Sequence, residues 1–291
     1  MATTTTLTIR ADGMETDIPG SQLPGCEPCL FLTQDYVEGW HGTPQIKLDL
    51  TELAMGDGAA APQDGAIFYA ARTCTAHVIA TGRTRSDVLA QAQRVNRFAH
   101  RLCTVELADA EDDTMAIGCY VSIEWDAERH RDYMSGTLTI VCPDPRRYGS
   151  SAKSASLAPG GNASGGLDLT DARLAFPLAW GDQAASHSVA TMRNDGTSTA
   201  YPTISIQGAI SDVVLVDTST GRELTIPGYI GWQPIVLDCL SRTAGIAGVD
   251  VTRRLGQRNF PSIPAGGDTT IALMCSGTNG TVHVEWRDTY I

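Results

Sequence analysis

Alternation of apolar and polar residues dominates the last third of the chain. Thr203-Ile204-Ser205-Ile206-Gln207 and Thr281-Val282-His283-Val284-Glu285-Trp286 alternate strictly, and Thr270-Ile271-Ala272-Leu273-Met274 more loosely. A period of two is that of half-buried antiparallel strands. Asn194-Asp195-Gly196, Thr220-Gly221, Ala265-Gly266-Gly267 and Asn279-Gly280 interrupt the pattern, and such residues enter turns of positive φ at low cost. The run from Ser188 to Ile291 therefore predicts a β-sandwich, with the breaks falling at those four turns.

The first half mixes periods. Strands are expected around Leu7 and Ile9, at Ile46-Lys47-Leu48-Asp49-Leu50 and over residues 66–80, with Gly56-Asp57-Gly58 as a turn between. Ser86 then reads as a helix N-cap with Asp87 in the first turn. Val88, Leu89, Ala92, Val95, Phe98, Ala99 and Leu102 follow at helical spacing, and Arg94, Arg97, His100 and Arg101 gather where positive charge complements the helix dipole. Residues 114–126 and 133–142 predict a β-hairpin across the polar turn 127–132. Pro143 and Pro145 end it, because proline cannot donate to a ladder. Residues 150–167 are rich in serine, alanine and glycine, the composition of a linker. The fold class expected is mainly β: an α+β domain with one helix over residues 1–149, a linker over 150–167, and an all-β sandwich over 168–291.

At 291 residues the chain can hold two domains of ordinary size. Thirty-three acidic residues against 21 basic ones give a formal charge of -12, which opposes broad binding to phosphate backbones or anionic membranes. No stretch approaches the roughly 20 consecutive apolar residues of a membrane helix. The threonine-rich start lacks a basic flank and an apolar core, so the expectation is a protein folded in the cytoplasm that made it. The sequons Asn162-Ala163-Ser164 and Asn279-Gly280-Thr281 then carry no weight. Of eight cysteines, Cys74, Cys119, Cys142 and Cys275 sit in strand-like runs and are expected as reduced, buried thiols.

Candidate chemistry is sparse. Cys26-Glu27-Pro28-Cys29 has the spacing of half a zinc site with His41 downstream, but no second pair completes it, so two thiols packed in a loop are expected and no metal or cofactor. The acidic run Glu106, Asp109, Glu111, Asp112, Asp113 lacks the alternation of a calcium loop and reads as a solvated turn. Arg83, Arg85, Arg94, Arg97 and Arg101 read as a wet helix face, with docking of an acidic neighbouring subunit as the functional alternative. No nucleophile elbow, phosphate-binding glycine loop or His-Glu-x-x-His is present, and no catalytic residue is nominated. Trp180, Tyr201, Tyr229, Trp232 and Trp286 could stack on sugars if exposed, although aromatics in a small sandwich more often serve its core.

Two series of motifs carry a resemblance. Gly39-Trp40-His41-Gly42-Thr43-Pro44, Asp64-Gly65-Ala66, the strand over 71–80, Gly82-Arg83-Thr84, the helix from Ser86 and the exit Cys142-Pro143-Asp144-Pro145-Arg146-Arg147-Tyr148 resemble the N-terminal domain of siphophage distal tail proteins, often grouped as minor tail proteins in phages of actinobacteria. Phe176-Pro177-Leu178, Asn194-Asp195-Gly196-Thr197, the stretch 201–208, Thr220-Gly221-Arg222-Glu223-Leu224, Val236-Leu237-Asp238, Ile263-Pro264-Ala265-Gly266-Gly267 and the closing 284–290 are similar to that family's galectin-like C-terminal sandwich. The specificity lies in the order of the series. The resemblance implies a non-enzymatic virion protein, made in the bacterial cytoplasm and incorporated at the tip of a long non-contractile tail. There it would form a six-fold ring between the tail tube and the hub or fibre protein, with N-terminal domains closing the ring. The acidic surface would discourage passing DNA from sticking. The alternative is a module that binds host wall glycans through the C-terminal sandwich; a glycoside hydrolase would need paired carboxylates that the sequence does not nominate.

Overall fold

The computed structural model describes residues 5–21, 26–34, 36–48, 51–60, 67–127, 130–159 and 188–291, apart from the side chain of Thr278. Asp64-Gly65-Ala66, Phe176-Pro177-Leu178 and Trp180 lie outside the described residues. The chain divides into two compact units, Met1–Ser150 with Tyr290–Ile291, and Ser151–Thr289.

In the first unit the strands are β1 (Thr6–Ala11), β2 (Met14–Pro19), β3 (Cys29–Leu32), β4 (Arg72–Thr81), β5 (Cys103–Ala108), β6 (Asp113–Trp125), β7 (Tyr133–Cys142) and β8 (Arg147–Gly149). They form a sheet in the order β2-β1-β5-β6-β7-β4-β3, curled until it is nearly a barrel, with β8 beside β6. The pairings are antiparallel. Alternation along β4 and β7 sends Cys74, Ala76, Val78, Leu138 and Ile140 inward to meet Leu7 and Ile9 in one core.

The helix α1 (Arg85–Asn96) packs on that core through Val88, Ala92 and Val95. Its N-cap is Thr84 rather than Ser86. The Thr84 hydroxyl accepts from the Asp87 amide, and the Asp87 carboxylate accepts from the Thr84 amide, a capping box that satisfies both donors. The helix also ends earlier than its apolar period suggests. Phe98 follows in a turn and is fully buried, but Leu102 is 71% exposed, so the apolar repeat outlasts the helix by almost two turns.

The second unit contains β9 (Lys153–Leu157), β10 (Val189–Arg193), β11 (Thr203–Asp217), β12 (Glu223–Ile230), β13 (Ile235–Asp238), β14 (Thr243–Ile246), β15 (Val249–Asp250) and β16 (Asp268–Trp286). Two features correct the sequence reading. Lys153–Leu157, inside the expected linker, is a strand paired with the end of β16, where Leu157 is buried opposite Val282; residues 160–167 lie outside the described residues. And Asn279-Gly280 is not a turn: residues 268–286 are one strand running antiparallel to β11.

That long pair bends where its register shifts, between Ala209 and Val214 opposite Met274 to Asn279. Gly208 approaches Gly280 so closely that a Cβ on Gly208 would stand 2.4 Å from the Gly280 Cα, and a Cβ on Gly280 would meet Ile210 at 2.7 Å. Beyond the bend, one half pairs with β10 and β12, the other with β9 and β13, which carries β14 and β15. Ile204, Val284, Val213 and Leu273, taken from both halves, belong to one core. The unit is thus mainly β, built on a single folded ribbon.

The turn at Asn194-Asp195-Gly196 is fixed by a fully buried side chain. Asn194 donates through Nδ2 to Ser198 O (2.7 Å) and Pro264 O (3.1 Å) and accepts at Oδ1 from the amides of Gly196 (3.0 Å) and Thr289 (3.1 Å). Of the aromatics, Trp286 is buried with Nε1 donating to Arg193 O, Tyr201 packs on the core, and Tyr229 and Trp232 are each 63% exposed.

Candidate interaction surface

The most unusual surface of the first unit begins where β4 is entered. Glu38 and Thr75 exchange both backbone hydrogen bonds, which docks the chain before Trp40 onto the sheet. Trp40 is fully buried and donates through Nε1 to Thr114 Oγ1 at 3.1 Å. Gly39 has φ of 78° and lies so close to Thr73 O that a side chain has no room. Arg72, 1% exposed, then fastens the segment: Nη1 donates to the carbonyls of Gly39, Trp40 and Gly42, and Nε to Pro145 O. Burial pulls its guanidinium below the ordinary arginine value.

From this clamp the chain leaves the core as an arm. Lys47 N donates to Phe68 O and Ala70 N to Gln45 O, both at 2.7 Å, and Ile46 bridges Tyr69. Farther out, Leu53 N donates to Gly58 O and Ala60 N to Thr51 O. Where a strand was expected over 46–50, the described residues form only this narrow ribbon, and neither 46–48 nor 67–71 enters the sheet. Ile46, Leu48, Leu53 and Ile67 are exposed, Phe68 is 64% exposed and Met55 fully so. A two-stranded ribbon buries too little to be stable by itself in water, and a run of large apolar side chains left in solvent marks an interaction surface.

The other candidate residues disperse. The five helix-side arginines are engaged within the chain: Arg83 with Glu27, Arg85 with His130 O, Arg94 with Gln91, Arg97 with Arg94 O and Thr16, and Arg101 with Asp12. In the acidic run, Glu106 pairs with Arg10, while Asp112 faces His41 at 3.4 Å and the buried Arg147 at 3.2 Å. Asp109 Oδ1 accepts from the amides of Asp112 and Glu111, which holds its carboxyl below the usual range. Cys26 and Cys29 are joined as a disulfide rather than lying as two thiols, their Cα atoms 5.6 Å apart, within reach of such a bond. Among the described residues no group of three or more His, Cys, Asp or Glu side chains could hold a metal ion. The second unit carries a cleft of about 390 Å³ lined by Arg222, Arg242, Arg258, Asp217, Asp268 and Phe260, a mixed-charge surface in which Asp217 accepts from the hydroxyls of Ser219 and Thr220.

The arm was not visible as a site in the sequence. Ile46, Leu48, Ile67 and Phe68 belong to segments that predicted strands and Leu53 and Met55 to none, and only the fold reveals all six as exposed.

No protein-family model matches the chain, and no curated protein matches it. Solved structures do. The Dit protein of phage SPP1, described as a paradigm of the hub adsorption apparatus in phages infecting Gram-positive bacteria, superposes with a TM-score of 0.60 at 14% identity, over 98% of this chain and 99% of that one. A chain of the phage p2 baseplate in its activated conformation matches with a TM-score of 0.50 at 9% identity, over 97% of each. At these identities the likeness is one of fold, and it extends through both units.

Proposed function

We propose that the chain is a structural subunit of a siphophage tail tip, a distal tail protein that assembles as a six-fold ring between the tail tube and the hub or fibre protein. The observation that carries this reading is the arm at residues 45–48, 51–60 and 67–70, with Met55, Phe68 and Ile67 in solvent, on a fold shared end to end with a phage hub protein. An arm of this kind suits a head-to-tail contact, in which one surface of a subunit meets a different surface of the next and the rotation closes. The second copy covers the apolar side chains that the monomer leaves bare. The role asks for no catalytic group and no cofactor, and it sets the protein in the virion after synthesis in the bacterial cytoplasm.

The test is negative-stain electron microscopy of the purified chain with its mass measured in solution, alone and with the tail tube protein. Six-fold rings are expected, and the double variant Met55→Asp, Phe68→Asp is expected to stay folded by circular dichroism while losing the rings. A wild type that remains monomeric with and without the tube protein overturns the reading.

A second reading has one observation in its favour. Tyr229 and Trp232 are each 63% exposed on the second unit, where aromatic faces are available to stack on sugar rings. Binding on an array of wall glycans that disappears in Trp232→Ala would establish it beside the structural role; silence on a broad array removes it.

A further inference from the structure

Four buried thiols lie in one band of the first unit. Cys119 on β6 stands opposite Cys103 on β5, and Tyr120 opposite Val141, which makes Cys119 and Cys142 the next partners along the β6–β7 ladder. Cys74 lies on β4, and all four are buried. The sulfur of Cys119 donates to that of Cys142 at 2.8 Å, closer than the van der Waals contact of two thiols. Directly opposed antiparallel residues have Cα atoms about 4.5 or 5.5 Å apart, and both spacings fall in the roughly 4.4–6.8 Å span of disulfides. The strands need not move for a bond to form.

Cys142 also has a cation for a neighbour. Its partner across β4 is Arg72, whose Nη2 is buried with no hydrogen-bond partner and which has no carboxylate in ion-pair contact among the described residues. Arginine stays charged when buried, and the thiols whose negative charge would offset it are Cys74 and Cys142. The S–H of Cys119, and behind it the charge of Arg72, draw the Cys142 thiol below its ordinary value against the opposing effect of burial. The other three go the opposite way: burial raises Cys103 and lifts Cys74 to about 12, and donation to Cys142 followed by burial raises Cys119.

We propose that Cys142 and Cys119 are a peroxide-sensitive cross-link site, with Cys142 as the attacking thiolate and Cys119 as the resolving thiol. Both sulfurs are fully enclosed in the folded unit, so the reaction runs through local openings that admit peroxide: the Cys142 sulfur attacks one oxygen of hydrogen peroxide, the O–O bond breaks, and a sulfenic acid and hydroxide result. The Cys119 sulfur then attacks the sulfenic sulfur, its proton leaving with the displaced hydroxide as water. In total, two thiols and one peroxide become one disulfide and two waters; each sulfur gives up one electron and the peroxide takes both. The product staples β6 to β7 inside the barrel.

The full chain, purified with reductant and then freed of it, is exposed to hydrogen peroxide, denatured, alkylated, digested and read by mass spectrometry. The peptides bearing Cys119 and Cys142 are expected joined and lighter by two hydrogen atoms than the free pair, with Cys74 and Cys103 alkylated. In Cys142→Ala no attacking thiolate remains, so Cys119 is expected alkylated and without a dimedone adduct, and circular dichroism checks that this variant is folded. A link between Cys119 and Cys103, or alkylation of Cys119 and Cys142 to the same extent as Cys74, overturns the assignment. So does a folded Cys142→Ala protein with dimedone on Cys119.

Discussion

Replacing Asn194 by alanine removes four hydrogen bonds without exposing anything, which makes it the sharpest test of how the second unit is held together. The two amides and two carbonyls that the side chain serves come from Gly196, Thr289, Ser198 and Pro264, so one truncation unpins three separate segments. At about 1 kcal/mol net for each bond, with a larger cost for any group left dry and unpaired, the loss is about 4 kcal/mol. With an m-value of about 2 kcal/mol/M in urea, the midpoint falls by about 2 M and the slope stays unchanged. Fluorescence of Trp286, whose Nε1 donates to the carbonyl preceding Asn194, reports the transition. Asn194→Asp separates the donors from the acceptors: it keeps the oxygen facing Gly196 and Thr289 but turns a carboxylate oxygen toward two carbonyls. It is expected to be unstable at neutral pH and to recover in acid, where a protonated carboxyl can donate again. An alanine variant within about 1 kcal/mol of wild type would falsify the view that this side chain, and not the backbone of the turn, holds those segments.

Further outcomes follow from the same kind of argument. Thr84→Ala removes the capping box and is expected to cost about 1 kcal/mol in urea unfolding of the first unit, with Thr84→Ser restoring most of it. Gly280→Ala forces a methyl into Ile210 at 2.7 Å and is expected to lose about 1–3 kcal/mol; the double variant Gly280→Ala, Ile210→Ala recovers part of the clash, and the absence of that recovery sinks the packing explanation. For Asp109, held below the ordinary aspartate value of 3.8 by the amides of Asp112 and Glu111, the sign is that of a depressed carboxyl. Its contribution is complete above 3.8 and fades as pH falls through the lower folded value, so Asp109→Asn should flatten that acid limb; an NMR titration placing Asp109 at or above 3.8 refutes it.

The parts of the fold legible in the sequence were those where one residue's neighbours decide its state. Strict alternation marked 203–207 and 281–286 in the long ribbon and looser alternation marked 270–274, composition marked β7, and the prolines after Cys142 marked where β7 stops. Where a tertiary partner decides, the signal misled. Asn279-Gly280 has the composition of a turn, yet in the fold Gly280 serves close approach to Gly208 at a bend, a use of glycine that a single sequence cannot distinguish from a reversal. Ser-Ala-Ser within 153–157 looks like a linker because a strand at the rim of a sheet needs only one buried residue, here Leu157. Ile46 and Leu48 look like core because apolar alternation carries no label for which protein supplies the covering surface. The cysteines at 119 and 142 gave no sign of their contact, which the register of β6 against β7 creates.

The shared ribbon of the second unit also governs the order in which that unit can form. β11 pairs directly with β16 although β12 to β15 separate them in the sequence, and among the described strands β9 and β10 pair only with β16. No subset of early strands makes a complete layer. Contacts so distant in sequence must be closed before burial repays the lost chain entropy, so the unit is expected to fold late, slowly and all at once. Its amides near Ile204 and near Val213, on opposite sides of the bend, should exchange with solvent at a common rate.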